Sequence, residues 1–139
     1  MDTPARHLIF HGAIVLLFGL LCGGPYAGAI KRQAAANIVH SWRVAHASLP
    51  MGATVMLAVG ALLSHLAGGA ALQWFIAVSL IVSSYAFCFA LPLAAITGHR
   101  GLSSGGPLSA RLVFAGNVLG AWTSGLAAAA LVYAAYVSL

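Results

Sequence analysis

The sequence predicts an all-α integral membrane protein, a bundle of four transmembrane helices, because of its apolar composition and its near lack of acidic residues. Hydrophobic residues make up 62% of its 139 residues, and the mean hydropathy is +1.01. A soluble domain has an apolar share of only roughly 45–50%. The one acidic residue, Asp2, lies outside the apolar spans. Since helices in a bilayer satisfy their backbone groups internally, we expect residues 1–139 to form a single transmembrane domain.

The first two predicted helices occupy the amino-terminal half of the chain. The first apolar span covers about residues 8–30 and ends at a basic pair, 31–32. A short polar connection leads to the second span, about residues 41–67, and the glycine pair 68–69 predicts a tight turn after it. Both spans exceed the roughly 20 residues that a helix needs to cross the hydrocarbon core. We therefore expect two antiparallel membrane helices here.

The carboxyl-terminal half repeats this arrangement. The third span covers about residues 72–96, and a loop with four glycines, 97–107, connects it to the fourth span, about residues 109–137. In the fourth span, Gly116 and Gly120 are four residues apart, a spacing that lets helix backbones approach closely in lipid. Four antiparallel helices result.

The lack of carboxylates within the spans excludes several kinds of function. Proton-coupled antiport through an intramembrane carboxylate, hydrolysis by paired carboxylates and cages for hard cations all need acidic oxygens. The net charge of +5 comes from dispersed cations beside the apolar spans, so we interpret them as bilayer anchors and expect no nucleic-acid partner. Arg6 lies on one membrane face. The other face, hereafter the basic face, has five cations: Lys31, Arg32, Arg43, Arg100 and Arg111. Either this bias sets the orientation in the membrane, or some of these arginines bind a cofactor's carboxylates.

Among the six histidines, His46 has the most suggestive position. If its helix begins near Ser41, the imidazole lies roughly 7 Å inside, at 1.5 Å per residue. That depth suits a porphyrin whose propionates reach the surface. Arg43, at i−3, shares the helix face and could pair with a propionate, and Pro50, at i+4, removes the usual hydrogen bond to the His46 carbonyl. His46 is therefore a candidate heme ligand, and a hydrogen bond across helices is the alternative.

The other histidines lie nearer the membrane surfaces. We interpret His7, His40 and His99 as solvated, and His11 and His65 as sharing one membrane face, where they form either interfacial hydrogen bonds or a second site. None is placed to pair with His46. A heme there is thus expected to be five-coordinate, with an open face for reactivity or gas binding.

Three segments carry a resemblance to a known family. Residues 42–46 (WRVAH), followed by Pro50 and an apolar run to Leu63, resemble the second helix of the styrene oxide isomerases. The pair 11–12 (HG) in the first helix and residues 100–102 (RGL) in the third loop are similar to that family too. These segments occur in matching order over most of the chain.

The resemblance implies a homotrimer of four-helix subunits that holds ferric heme b between neighbouring subunits. It makes His46 the axial ligand of the heme iron and adds Trp42 and Arg43 as cofactor-binding residues. In that family the iron acts as a Lewis acid on an epoxide, which isomerises to an aldehyde without net redox change. The expected substrate is small and hydrophobic, and the expected location is a bacterial inner membrane, crossed several times.

Three positions depart from the family pattern. Gly52 stands where the family has an asparagine, and Ser83 and Leu91 stand where it has an aspartate and a tyrosine. The polar groups that orient the epoxide are thus missing, and Ser84 and Tyr85 are the candidate catalytic residues that could substitute for them. The resemblance therefore supports heme binding more strongly than isomerase activity.

Two alternative functions follow from the same sequence. The pair 11–12 and residues 44–46 also look like heme-ligand helices of heme-copper oxidase catalytic subunits, whose twelve helices a trimer of this chain would imitate. That likeness implies binding or redox chemistry of a diatomic gas, or electron transfer. The other alternative is a bundle without a cofactor that transports a small molecule or packs with another membrane subunit.

Overall fold

The computed structural model describes residues 1–139 and contains helices without strands. The first transmembrane span consists of two helices in sequence, and each of the other three is a single helix. These helices are α1 (Thr3–Leu21), α2 (Gly23–Lys31), α3 (Ala36–Leu63), α4 (Gly69–Thr97) and α5 (Leu108–Tyr136). All four spans are long and apolar enough to cross a membrane. The predicted all-α fold with four transmembrane helices is confirmed, whereas the trimer stays a prediction.

The helices extend beyond most of the apolar stretches from which they were predicted. α3 begins at Ala36, whereas hydropathy placed the start of this span near residue 41, and it ends at Leu63, before the predicted end near residue 67. His46 is thus the eleventh residue of its helix, farther from the helix start than predicted. A helix of 29 residues is about 43 Å long at 1.5 Å per residue, and the hydrocarbon core is about 30 Å thick. Hydropathy marks only the part of a helix that lies in hydrocarbon, so the polar ends escape it.

The first span breaks at Cys22, between α1 and α2. The Cys22 N–H donates to the Phe18 carbonyl at 3.1 Å, and the Tyr26 N–H donates to the Cys22 carbonyl at 3.1 Å. Pro25 cannot donate a backbone hydrogen bond, so the carbonyl of Leu21 lacks its usual partner. The break therefore lies where a proline and two glycines weaken the helix.

Close helix packing depends on glycines, as the small-residue spacing predicts. A Cβ added at Gly116 of α5 would lie 2.9 Å from the Ala90 Cβ of α4. A Cβ added at Gly19 of α1 would lie 2.5 Å from the Pro50 Cδ of α3. Because apolar side chains gain nothing over lipid by meeting one another, such close backbone contact is what holds membrane helices together.

The bundle is open on one side. α1 packs mainly on α3, α4 contacts α1, α3 and α5, and α5 contacts no helix except α4. A groove therefore runs between α3 and α5 with α4 as its floor, and we call it the α3–α5 groove. Only 31 of the 139 residues are buried, and many large apolar side chains are exposed, as expected of a surface that faces lipid.

Candidate functional site

His46 lies half-buried on the side of α3 that faces the break between α1 and α2. Its Nδ1 is 3.0 Å from the carbonyl oxygen of Gly19. A carbonyl can only accept a hydrogen bond, so Nδ1 donates, and in the neutral imidazole Nε2 keeps its lone pair. Histidines that bind metals commonly donate their other ring N–H to a backbone carbonyl in this way. The protein thus fixes His46 in the tautomer that an Nε2 ligand requires.

Two residues of α2 define the space around the imidazole. A Cβ at Gly23 would lie 3.0 Å from the His46 Cε1 and 3.3 Å from its Nδ1. The Tyr26 ring lies with its centroid 6.2 Å from that of His46, tilted by 32°. The missing side chain of Gly23 therefore leaves room for the imidazole beside the helix break.

Trp42 and Arg43, the other expected cofactor-binding residues, lie one turn of α3 nearer the basic face than His46. Trp42 is half-buried and packs against a small core of Cys22, Ala45 and Leu49. Arg43 is exposed, and its Nη2 donates to the Nδ1 of His40 at 2.8 Å. The structure thus places the Arg43 guanidinium between His46 and the basic face, while Trp42 packs this part of α3 against the small core.

The α3–α5 groove contains all three positions that depart from the family pattern. Gly52 lines its α3 wall, and Ser83 and Leu91 lie on its α4 floor. The groove has a volume of about 450 Å³ and a mainly apolar surface. Ser83 donates its hydroxyl to the Gly120 carbonyl at 2.8 Å, so this hydroxyl is already used within the protein. The three positions thus form one site, whose lining is small and apolar.

The structure separates the two candidate catalytic residues. Ser84 lines the α3–α5 groove, whereas Tyr85 lies on the opposite side of α4, against α1. There its hydroxyl is 2.9 Å from the Nδ1 of His11. Within one chain Ser84 and Tyr85 therefore do not share a site.

His46 and the groove also lie on different sides of α3. His46 faces α1 and α2, while Ser48 and Gly52 of the same helix face the groove. One chain by itself therefore does not bring the candidate iron ligand next to the apolar groove.

The groove has a polar end at the basic face. A smaller cavity of about 230 Å³ shares Leu91 with the groove and is lined by His40, Arg100 and Asn117. The Asn117 side chain donates to the Arg100 carbonyl at 3.4 Å, which ties the loop before α5 to that helix. The groove is thus apolar in the membrane and cationic at this surface.

The side chains that could bind a metal suit a metal cofactor whose organic part supplies most of the ligands. Nowhere in the chain do three or more histidine, cysteine, aspartate or glutamate side chains come together as a metal cage. His46 presents one imidazole nitrogen, Nε2, that makes no hydrogen bond within the chain. Heme needs only one such protein ligand, since the porphyrin supplies four nitrogens, so the residues present fit an axially ligated heme.

Comparison with known proteins identifies the family. A family model described as styrene oxide isomerase matches residues 4–136, which is nearly the whole chain. Neither the curated proteins nor the solved structures include a match. The match covers all four spans, His46 and the α3–α5 groove. The chain therefore belongs to the styrene oxide isomerase family.

Proposed function

We propose that this protein binds heme b through His46 and isomerises small apolar epoxides to carbonyl compounds in a bacterial inner membrane. The observation that carries the proposal is the hydrogen bond from His46 Nδ1 to the Gly19 carbonyl, which leaves Nε2 free as a ligand. Family membership supports the same reading. Ferric heme, when bound, supplies a Lewis acid for the epoxide oxygen, so that the rearrangement needs no net electron transfer.

The residues around His46 have separate roles in this proposal. His46 holds the iron, and Gly23 leaves the space in which the imidazole stands. Arg43 is one turn nearer water on the same helix, where its guanidinium can pair with a propionate, as guanidinium groups pair with carboxylates. Trp42 packs against the small core behind the helix and keeps this face of α3 in place.

The α3–α5 groove is the proposed substrate site. Its apolar lining excludes water and accepts a hydrophobic epoxide, while the Ser83 hydroxyl is held by Gly120 and offers the substrate little. Ser84 is the polar candidate that lies within this groove. The substrate would therefore be positioned mainly by shape, and we expect tolerance of different apolar epoxides.

The separation of His46 and the groove supports the homotrimer that the family resemblance implies. Since they lie on different sides of α3, a neighbouring copy must supply the groove that faces His46 if both serve one reaction. Repeated around a closed ring, such a head-to-tail contact gives every subunit one complete site at its boundary. We propose this arrangement, with heme at each subunit interface.

The heme proposal is tested by absorption spectroscopy of protein purified in detergent. The wild-type chain and the control His65→Ala are expected to show a Soret band with equal heme content. His46→Ala is expected to lose it. A wild-type chain without heme, or a His46→Ala variant that retains full heme, would contradict the proposal and favour the bundle without a cofactor.

Isomerase activity needs its own measurement. Heme-loaded protein is mixed with an aryl epoxide, and formation of the aldehyde is followed by chromatography. Turnover that disappears in His46→Ala is the expected result. No turnover at full heme occupancy would contradict the isomerase.

Binding of a diatomic gas is the second candidate function, and the apolar lining of the groove favours it because a diatomic gas needs no hydrogen-bonding groups for orientation. Carbon monoxide binding to the reduced protein, together with absent isomerase turnover, would support this candidate.

A further inference from the structure

Two histidines near the amino terminus form a pair that the proposed function does not use. His7 and His11 are four residues apart on α1, so they lie on the same face of the helix. Their rings are nearly parallel, with an interplanar angle of 17° and centroids 6.2 Å apart. Histidines at this helical spacing can direct one ring nitrogen each at a single metal ion.

A tyrosine from α4 orients the deeper histidine. The hydroxyl of Tyr85 is 2.9 Å from the Nδ1 of His11, and the two rings meet edge to face with centroids 5.6 Å apart. When Nδ1 donates to the phenolic oxygen, Nε2 of His11 carries the lone pair that a metal needs. Tyr85 can therefore act on His11 as the Gly19 carbonyl acts on His46.

A tryptophan supports the outer histidine. The His7 ring packs against Trp74 of α4 with centroids 5.5 Å apart and an angle of 42°. His7 is exposed, and Trp74 is 38% exposed. The indole thus covers one side of His7 and leaves the ring accessible from another.

The pair lies where an aqueous ion can reach it. The first span has 29 residues and is about 13 Å longer than the hydrocarbon core, so its first turns extend into the headgroup region. His7 is the fifth residue of α1, and His11 is one turn deeper. His7 therefore lies near the headgroup region, whereas His11 lies at the edge of the hydrocarbon, where an imidazole is costly to leave facing lipid and commonly marks a site.

We propose that His7 and His11 bind one divalent transition metal ion, Zn²⁺ or Cu²⁺, with Tyr85 as a positioning residue and water completing the coordination. Imidazole suits both ions, whereas Mg²⁺ and Ca²⁺ need several oxygen ligands, and Asp2 is the one carboxylate at this end of α1. The site is separate from that of His46, whose partner Gly19 lies about two turns farther along α1. The proposal does not depend on heme binding.

Calorimetric titration of tag-free protein in detergent with Zn²⁺ alone tests the site. His7→Ala and His11→Ala should each weaken binding by about 100-fold, because the remaining imidazole loses the chelate effect. The matched control is His65→Ala, which removes an exposed histidine at the same end of the bundle. Unchanged affinity in either single variant, or an equal loss in His65→Ala, would overturn the proposal. Helicity by circular dichroism establishes that each variant is folded.

The positioning role of Tyr85 has a separate readout. Tyr85→Phe keeps the aromatic packing but removes the oxygen that bonds His11, so Zn²⁺ affinity should fall by about tenfold. With Cu²⁺ as the probe, electron paramagnetic resonance should show two nitrogen ligands in the wild-type chain and one in His7→Ala. Full affinity in Tyr85→Phe would overturn the positioning role, and equal nitrogen counts would overturn the paired site.

Discussion

At the residue scale, the chemistry assigned to His46 depends on one backbone carbonyl of a neighbouring helix. The Gly19 carbonyl accepts the proton of Nδ1 and so decides which ring nitrogen is free. It can come so close because Gly19 has no side chain, since an added Cβ would lie 2.8 Å from the Leu49 Cβ. A glycine thus controls the tautomer of a histidine 27 positions later.

Substitution of Gly23 tests this local geometry. In Gly23→Ala the new methyl group would lie 3.0 Å from the His46 Cε1, so the imidazole must move relative to Gly19. We expect the heme content after purification to fall, with an affinity loss of about tenfold, as for disturbed outer-shell partners. The measurement is the ratio of Soret absorbance to protein.

Gly24 provides the matched control for this substitution. It neighbours Gly23 in the same short helix, but a Cβ at Gly24 would meet nothing within 4 Å. Gly24→Ala is therefore expected to keep its heme. Equal heme loss in both variants would indicate that α2 itself had been disturbed, and the role given to Gly23 would be wrong.

The α3–α5 groove allows a second prediction at this scale. Introducing the family's polar groups with Gly52→Asn and Leu91→Tyr places them inside the groove, because both positions line it. Since an asparagine and a tyrosine can hydrogen-bond an epoxide, we expect faster aldehyde formation per heme than in the wild-type chain. Gly125→Asn, on the exposed side of α5, is the control. Turnover equal to that of the wild-type chain would count against the groove as the substrate site, because residues that enlarge or polarise a substrate site must alter the rate.

At the element scale, the pairs of helices are held together by small residues at fixed spacing. Gly116 of α5 faces α4, where a Cβ would lie 2.9 Å from the Ala90 Cβ and 3.3 Å from the Ala86 carbonyl oxygen. Neither of these atoms belongs to a flexible side-chain end, so the two helices can accommodate a methyl group only by separating. As α4 is the one helix that α5 contacts, this packing fixes α5 in the bundle.

The predicted effect of this packing is a loss of stability in Gly116→Ala. We expect destabilisation by about 1–3 kcal/mol, the usual cost of overpacking, measured as the midpoint of unfolding by sodium dodecyl sulfate. Gly125→Ala in the same helix meets nothing within 4 Å and should be no less stable than the wild-type chain. A stable Gly116→Ala variant would show that α4 and α5 are not held by this contact.

Sequence patterns predicted where the helices lie in the chain better than they predicted which residues of different helices are in contact. The spacing of Gly116 and Gly120 indicated close packing, but nothing in the sequence indicated that His46 would pack against Gly19 and Gly23. The sequence also did not predict that Tyr26 is a neighbour of His46. The Tyr26 ring lies beside His46 only because of the break at Cys22 and the register of α1 on α3. The helix starts were predicted too late because their polar residues lie outside hydrocarbon.

At the scale of the whole molecule, the open side of the bundle and the position of His46 favour a site shared between copies. α5 leaves the α3–α5 groove uncovered, and His46 lies on the other side of α3. If a neighbouring copy brings its groove to His46, each complete site contains residues of two chains. Such a site can be detected genetically, without a structure of the assembly.

Complementation between two inactive chains tests the shared site. His46→Ala removes the ligand but keeps the groove, and Gly52→Trp fills the groove but keeps the ligand. When both are co-expressed in equal amounts, random mixing should leave about a quarter of the subunit boundaries with both parts intact. We expect aldehyde formation to recover to a similar fraction of the wild-type rate. Each variant expressed alone is the control, and no recovery in mixed oligomers would show that the site lies within one chain.

The sequence by itself determined the class of the molecule and its principal ligand candidate. Apolar spans of sufficient length predict membrane helices, and the position of His46 between Arg43 and Pro50 on one helix could be recognised, although its predicted depth was wrong, because α3 begins at Ala36 and not near Ser41. The tertiary structure decided which groups meet. In the folded chain the Gly19 carbonyl contacts His46, and Gly52, Ser83 and Leu91 line one groove. Tyr85 contacts His11 and does not share a site with Ser84. Those contacts depend on the rotation and register of one helix against another, which small differences in side-chain packing fix and which no periodicity within a single helix encodes.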